Sequence, residues 1–109
     1  MSWLESSYMA RKGVAKGRPG KTHELTEARQ GKYQYVYGPY AEPVLHIQPG
    51  DIVVAETQDA FEGAIKSESD KPSELLTFPF LNPNCGPIAV EGAERGDVLC
   101  VHIHSIEPR

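Results

Sequence analysis

Three groups of residues in this 109-residue chain have types and spacings that chemistry can use. The first is a histidine pair, His102 and His104, within Val98 to Ile106. At the two-residue period of a strand, Cys100, His102 and His104 share one face and Leu99, Val101 and Ile103 the other. Two imidazoles at i and i+2 can grip one metal ion, as in many zinc sites. The plainer reading is two half-exposed histidines on a wetted sheet face. The apolar face is expected to belong to a core. The second group is Glu56 and Asp59, in Ala55-Glu-Thr-Gln-Asp-Ala60. An ideal strand sends them to opposite faces. A bend at the strand end lets both carboxylates converge, to bind a metal or to take a proton as general base. The alternative is a solvated strand terminus. Asp59 beside Phe61 and Gly63 points to a shaped loop. The third group is Glu91 and Glu94, separated by Gly92 and Ala93. These small residues permit close approach by a ligand or another segment, or they form a simple turn.

Other residues carry weaker signals. Cys85 lacks a neighbouring base in sequence, so it is not read as a nucleophile. Lys66, Ser67, Asp70 and Lys71 read as a solvated charged loop. Arg95-Gly96-Asp97 spells an adhesion tripeptide, which in a turn is read as coincidence. The chain has no phosphate-binding glycine loop, no CxxC pair and no GxSxG elbow.

The elements that must position these groups are short. Ser2 as N-cap before Trp3, Leu4 and Glu5 predicts a brief helix within residues 1–10. Residues 11–21 hold too much glycine and charge for regular structure. His23 to Leu25 is predicted to be extended. Lys32 to Tyr37 is predicted to be a strand with Tyr33, Tyr35 and Tyr37 on one face. Pro43 to Ile47 and Ile52 to Thr57 read as strands joined by Gln48-Pro-Gly-Asp51, a turn in which Pro presets φ and Gly supplies a positive φ. A short helix is expected near Ser73 to Leu76, then strands at Ile88 to Glu91 and Val98 to Ile106. Gly50-Asp51 and Gly96-Asp97 read as one device used twice: a glycine turn feeding a strand, with the Asp bonding back to turn amides. Short strands, Gly/Pro turns and little helix argue an all-β or mainly β fold, a short-strand sandwich or barrel-like domain.

The bulk numbers fit one small domain. Hydrophobic residues are 39% and charged residues 24%, within the globular range. No apolar run nears the roughly 18 residues of a membrane span, and no apolar signal region opens the chain. With two cysteines and no such signal, the expectation is a cytoplasmic protein with reduced thiols. The net charge of −4 is uneven. Residues 1–32 carry seven Lys/Arg against three acids, and residues 33–109 carry four against twelve. A basic arm on an acidic body can bind nucleic acid. This one lacks interleaved aromatics and is glycine-rich, so packing on an acidic neighbour is the favoured reading and no nucleic-acid or membrane partner is expected.

Taken together, Pro49-Gly50-Asp51-Ile-Val-Val-Ala-Glu56-Thr57-Gln58-Asp59, then Gly86-Pro87-Ile-Ala-Val-Glu91-Gly92-Ala93-Glu94-Arg-Gly96-Asp97, with His102 in the following strand, resemble the acetamidase/formamidase family. The resemblance covers about residues 22 to 109. The second segment is specific; the PGD turn alone is not. The resemblance implies an amide hydrolase that cleaves the C–N bond of small linear amides such as formamide or acetamide and releases ammonia. It implies a β-rich hydrolase fold, an oligomer, and a divalent metal, zinc being the expected ion. It casts Asp59, Glu91 and Glu56 as catalytic acids and His102, His104 and Asp59 as metal ligands. From its charge and glycine the first segment, residues 1–21, is read as a basic flexible N-terminal arm, and because family members are much longer, 22–109 is read as the β-rich N-terminal part of such a domain. A further segment, or a larger subunit in a homo- or hetero-oligomer, is expected as partner. Two other readings stand beside this one. One is a non-catalytic β-domain that scaffolds or regulates a catalytic partner. The other is a sugar-binding sandwich using Tyr33, Tyr35, Tyr37 and Tyr40, residues better suited to a core or an interface.

Overall fold

The computed structural model describes residues 2–10, 13–14 and 20–108, the first two segments as backbone. Seven strands and two single-turn helices follow in chain order: β1 (Ser2–Ala10), β2 (Gly13–Val14), β3 (Thr22–Leu25), α1 (Glu27–Gln30), β4 (Leu45–Ile47), β5 (Ile52–Ala55), α2 (Pro72–Leu75), β6 (Ile88–Val90) and β7 (Val98–Ile106). The domain is mainly β, as the short strands and turn chemistry predict. One sheet runs β2-β1-β5-β3, with β7 on the other edge of β1; β4 and β6 form a second sheet. β1 is antiparallel to β5 and β7, whereas β3–β5 and β4–β6 are parallel.

The core lies between the sheets. Leu25, Val53 and Ala55 from the first meet Leu45 and Ile47 from the second, with Val44, Ile88, Val90 and Cys85 packed against them. Leu25 and Val53 are 0% and 2% exposed, and fully burying such a side chain stabilises by about 1.5–3 kcal/mol. β5 is buried along Val53, Val54 and Ala55 because it has a strand on each edge and the second sheet over one face. β4 instead alternates buried, exposed, buried, so His46 points outward between Leu45 and Ile47.

A buried carboxylate ties these strands together. Asp51 is 1% exposed. Its Oδ1 accepts from the Lys21 amide at 2.9 Å, and its Oδ2 from the Gln48 amide at 2.9 Å and the His23 Nε2 at 2.8 Å. The Gln48–Asp51 turn closes with the Asp51 amide donating to the Gln48 carbonyl at 3.0 Å and Gly50 at φ 88°. Gly20 lies so close to this turn that a Cβ there would sit 1.9 Å from the Gly50 carbonyl oxygen, so no larger residue fits. The same device recurs at Asp97: the Glu94 amide donates to its Oδ2 at 2.8 Å, and its own amide donates to the Glu94 carbonyl at 3.0 Å.

Four local expectations need correction, the stretch 11–21 among them, since Gly13–Val14 pairs with β1 as β2. Residues 2–10 form a strand, not a helix: pairing to β5 and β7 outweighs a single capping signal. Residues 11–12 and 15–19 of the stretch expected to be irregular lie outside the described residues. Lys32 to Tyr37 is no strand; only Gln34 pairs, in an isolated bridge with Asn84. The next ladder bonds fail because the Asn82 amide donates to the Ala60 carbonyl and the Gly86 amide to Gln30 Oε1. The apolar face of β7 is not covered by the described residues, with Leu99, Val101 and Ile103 about half-exposed. Helix α1 follows a legible cap: Thr26 Oγ1 accepts from the Arg29 amide at 3.2 Å and Gly31 ends the turn at φ 68°.

Replacing Asp51 by alanine strands the Lys21 and Gln48 amides. The expected loss is about 2–4 kcal/mol, read as a lower urea midpoint. Burial also pushes the Cys85 thiol up. Cys85 is therefore expected to alkylate more slowly than exposed Cys100 near about pH 8, the gap narrowing as the pH rises, measured by mass spectrometry.

Candidate functional site

The carboxylates singled out in the sequence have distinct employments. Glu56 follows β5. Its amide donates to the Leu25 carbonyl at 3.0 Å, and its Oε2 accepts from the Glu27 amide at 2.8 Å, which holds the first turn of α1 against the end of the sheet. Asp59 binds its own loop: Oδ1 accepts from the Phe61 amide at 2.7 Å and Oδ2 from the Gly63 amide at 3.0 Å. That is the shaped loop expected from Phe61 and Gly63, with Gly63 at φ 72°. Glu56 and Asp59 thus each spend carboxylate oxygens on backbone amides.

Glu91 is different. It follows β6, and its amide donates to the Ile47 carbonyl at 2.8 Å. Its Oε1 lies 3.0 Å from His46 Nδ1. Both side chains are open to water, His46 at 61% and Glu91 at 49%. His46 was not among the residues that sequence reasoning singled out. Its only local signal is the alternation Leu45-His46-Ile47; its partner is 45 residues away, and only the parallel pairing of β4 with β6 joins them.

His102 and His104 lie side by side on β7, ring centroids 4.9 Å apart and planes at 43°. In the ladder, Glu5 of β1 is the register partner of His102. Among the described residues, no group of three or more His, Cys, Asp or Glu side chains gathers closely enough to hold a metal ion. The described donors therefore stop at two imidazoles, short of the three protein ligands that a catalytic zinc keeps. Asp59, the expected third ligand, has both oxygens bonded within its loop.

A cavity of about 170 Å³ opens elsewhere, among Gln34, Tyr37, Tyr40, Asn84, Cys85 and Gly86. Its walls are mostly apolar; none of the candidate catalytic or metal-binding residues lines it, whereas Tyr37 and Tyr40 of the sugar-binding reading do. Gln30 braces one wall: it is 4% exposed, its Nε2 donates to the Gly86 carbonyl at 2.8 Å and its Oε1 accepts from the Gly86 amide at 2.7 Å. Tyr37 donates to Asn84 Oδ1 at 3.2 Å, and Tyr35 meets Phe80 edge-to-face at 5.3 Å. Asp70 accepts from the Lys66 and Ser67 amides, which hold its carboxyl below the usual range and order the charged loop.

Comparison with known proteins agrees with the motifs. The model of the Acetamidase/Formamidase family matches residues 21–109. No curated protein matches. The crystal structure of an acetamidase from Yersinia enterocolitica is similar over 72% of this chain, with 59% sequence identity and a TM-score of 0.68. The similarity spans 24% of that acetamidase's chain. On this ground, with the Gln48–Asp51 turn and the Glu91–Asp97 turn standing as the motifs require, the chain belongs to the acetamidase/formamidase family.

Proposed function

We propose that this chain contributes to hydrolysis of the C–N bond in small linear amides such as formamide or acetamide, with release of ammonia. The observation that carries the reading is the family match over residues 21–109, reinforced by 59% identity to an acetamidase. The reaction adds water to the amide carbonyl, and it needs a group that takes the water proton and returns one to the leaving nitrogen. Glu91 is the best-placed of the three candidate acids to take part in this transfer, directly or through its partner, because its side chain meets an imidazole and faces solvent. Glu56 and Asp59 shape the site through the backbone amides they hold.

The chain is expected to act in the cytoplasm within a larger assembly, homo- or hetero-oligomeric, with further chain covering β7. The half-exposed Leu99, Val101 and Ile103 support this, since an apolar strand face is normally packed. A divalent ion, zinc by the preference of imidazole ligands, would be held by His102 and His104 with ligands from outside the described residues. Metal analysis of the intact assembly tests this, with two or more ligands beyond the histidine pair expected.

The function is tested by ammonia release from formamide and acetamide by the protein together with whatever chains accompany it. Absence of amide hydrolysis, with the chain still bound to an active partner, would favour the scaffolding role instead. Within an active preparation, Asp59→Asn separates two roles. It exchanges one acceptor of the loop for a donor, so a melting point lower by several degrees is expected, about 1 kcal/mol of lost loop bonding. The kcat of the folded fraction should stay within about threefold of the parent. A loss of a hundredfold or more, on the order of a removed proton-transfer group, would put Asp59 in the chemistry.

A further inference from the structure

We propose that His46 is the general base of the reaction, with Glu91 as the residue that positions it. This rests on the amide-hydrolase reading. The placement is built by the strand pairing. His46 sits opposite Ala89 in the β4–β6 register, and Glu91 lies two residues beyond Ala89. Residues two apart along a strand share a face, so His46 and Glu91 emerge on the same side of the small sheet. Ala89 between them has little side chain, which leaves room for the imidazole to lean across to the carboxylate. The Glu91 backbone is held by its bond to the Ile47 carbonyl, next along the chain from His46. Both ends of the pair are thus fixed to one two-stranded frame with Leu45 and Ile47 buried beneath it.

The contact also decides the tautomer. A carboxylate only accepts, so a neutral His46 carries its proton on Nδ1 and donates it to Glu91 Oε1 at 3.0 Å. The Nε2 lone pair is then the basic site, on a side chain 61% exposed. An ion pair this exposed adds little to stability. An imidazole oriented through Nδ1 by a carboxylate is an arrangement that proton-transfer catalysis uses.

The step balances without another reactant. Nε2 takes a proton from water as the water oxygen bonds to the amide carbon, and the carbonyl becomes a tetrahedral oxyanion. The imidazolium then gives that proton to the amide nitrogen as the C–N bond breaks. Ammonia departs, the acid ionises, and His46 is neutral again, its positive charge having been stabilised by Glu91 in between.

The test uses the active preparation defined above. His46→Ala is expected to lower kcat by about 10²–10⁴-fold with little change in KM. Added imidazole should restore part of the rate, because the exposed position admits it. Glu91→Gln should lower kcat less, and imidazole should not rescue it. His46→Gln, which keeps a polar side chain on the exposed face, guards against misfolding and should match the alanine variant. If the parent hydrolyses amides but His46→Ala stays within about twofold of it, or loses activity that imidazole never restores, the assignment of His46 is wrong while the amidase reading stands. A parent that releases no ammonia sinks both.

Discussion

A carboxylate removed from water must find donors or it destabilises the fold, and Asp51 finds three. It gathers the amide of Lys21, the amide of Gln48 and the imidazole of His23 around a side chain 1% exposed. Lys21 leads into β3, Gln48 follows β4, and Asp51 immediately precedes β5. One side chain therefore sets where three strands begin or end. β3 and β5 pair in parallel, and a parallel pair cannot be registered by a tight turn between its own strands. The Asp51 cluster performs that office from one end, while the Glu56 amide bonded to the Leu25 carbonyl closes the other.

The consequences reach the exposed side of the molecule. With β5 fixed, the Gln48–Asp51 turn delivers β4 to the second sheet with Leu45 and Ile47 facing the core, and His46 has only the outer face left. β6 pairs with β4 so that Glu91 arrives beside His46. The division of labour among the acids follows from where each lies relative to free amides. Asp51, Asp59, Asp70 and Asp97 each sit in a turn whose unpaired N–H groups point at them, and each is used to satisfy those groups. Glu56 meets an amide of a helix's first turn that has no intrahelical partner. Glu91 has its backbone in the sheet and a longer side chain reaching past it, and it meets an imidazole instead. In this chain, acids on turns bond the amides that the turn supplies, so motif membership ranks Asp59 and Glu91 alike where their hydrogen bonding differs.

Patterns carried within a few residues were legible in the sequence. The Pro49-Gly50 turn, the two Gly-Asp units, the loop held by Asp59, the strands flanking them and the pairing of His102 with His104 on one face all depend on local periods and turn rules that adjacent residues set. The family motifs extended this to the fold class. Patterns that depend on distant partners were not legible. Ser2 to Ala10 shows a helix cap yet becomes a strand because two other strands flank it. Lys32 to Tyr37 has strand composition yet forms one bridge because the flanking amides of its partner segment, Asn82 and Gly86, bond to Ala60 and Gln30 instead. His46 carries no motif, and its carboxylate lies 45 positions away. Side-chain periodicity and turn geometry are properties of neighbouring residues and survive in any context. Strand partners, edges and the contacts made across them are settled by loop closure and burial over the whole chain, and those exist only once it has folded.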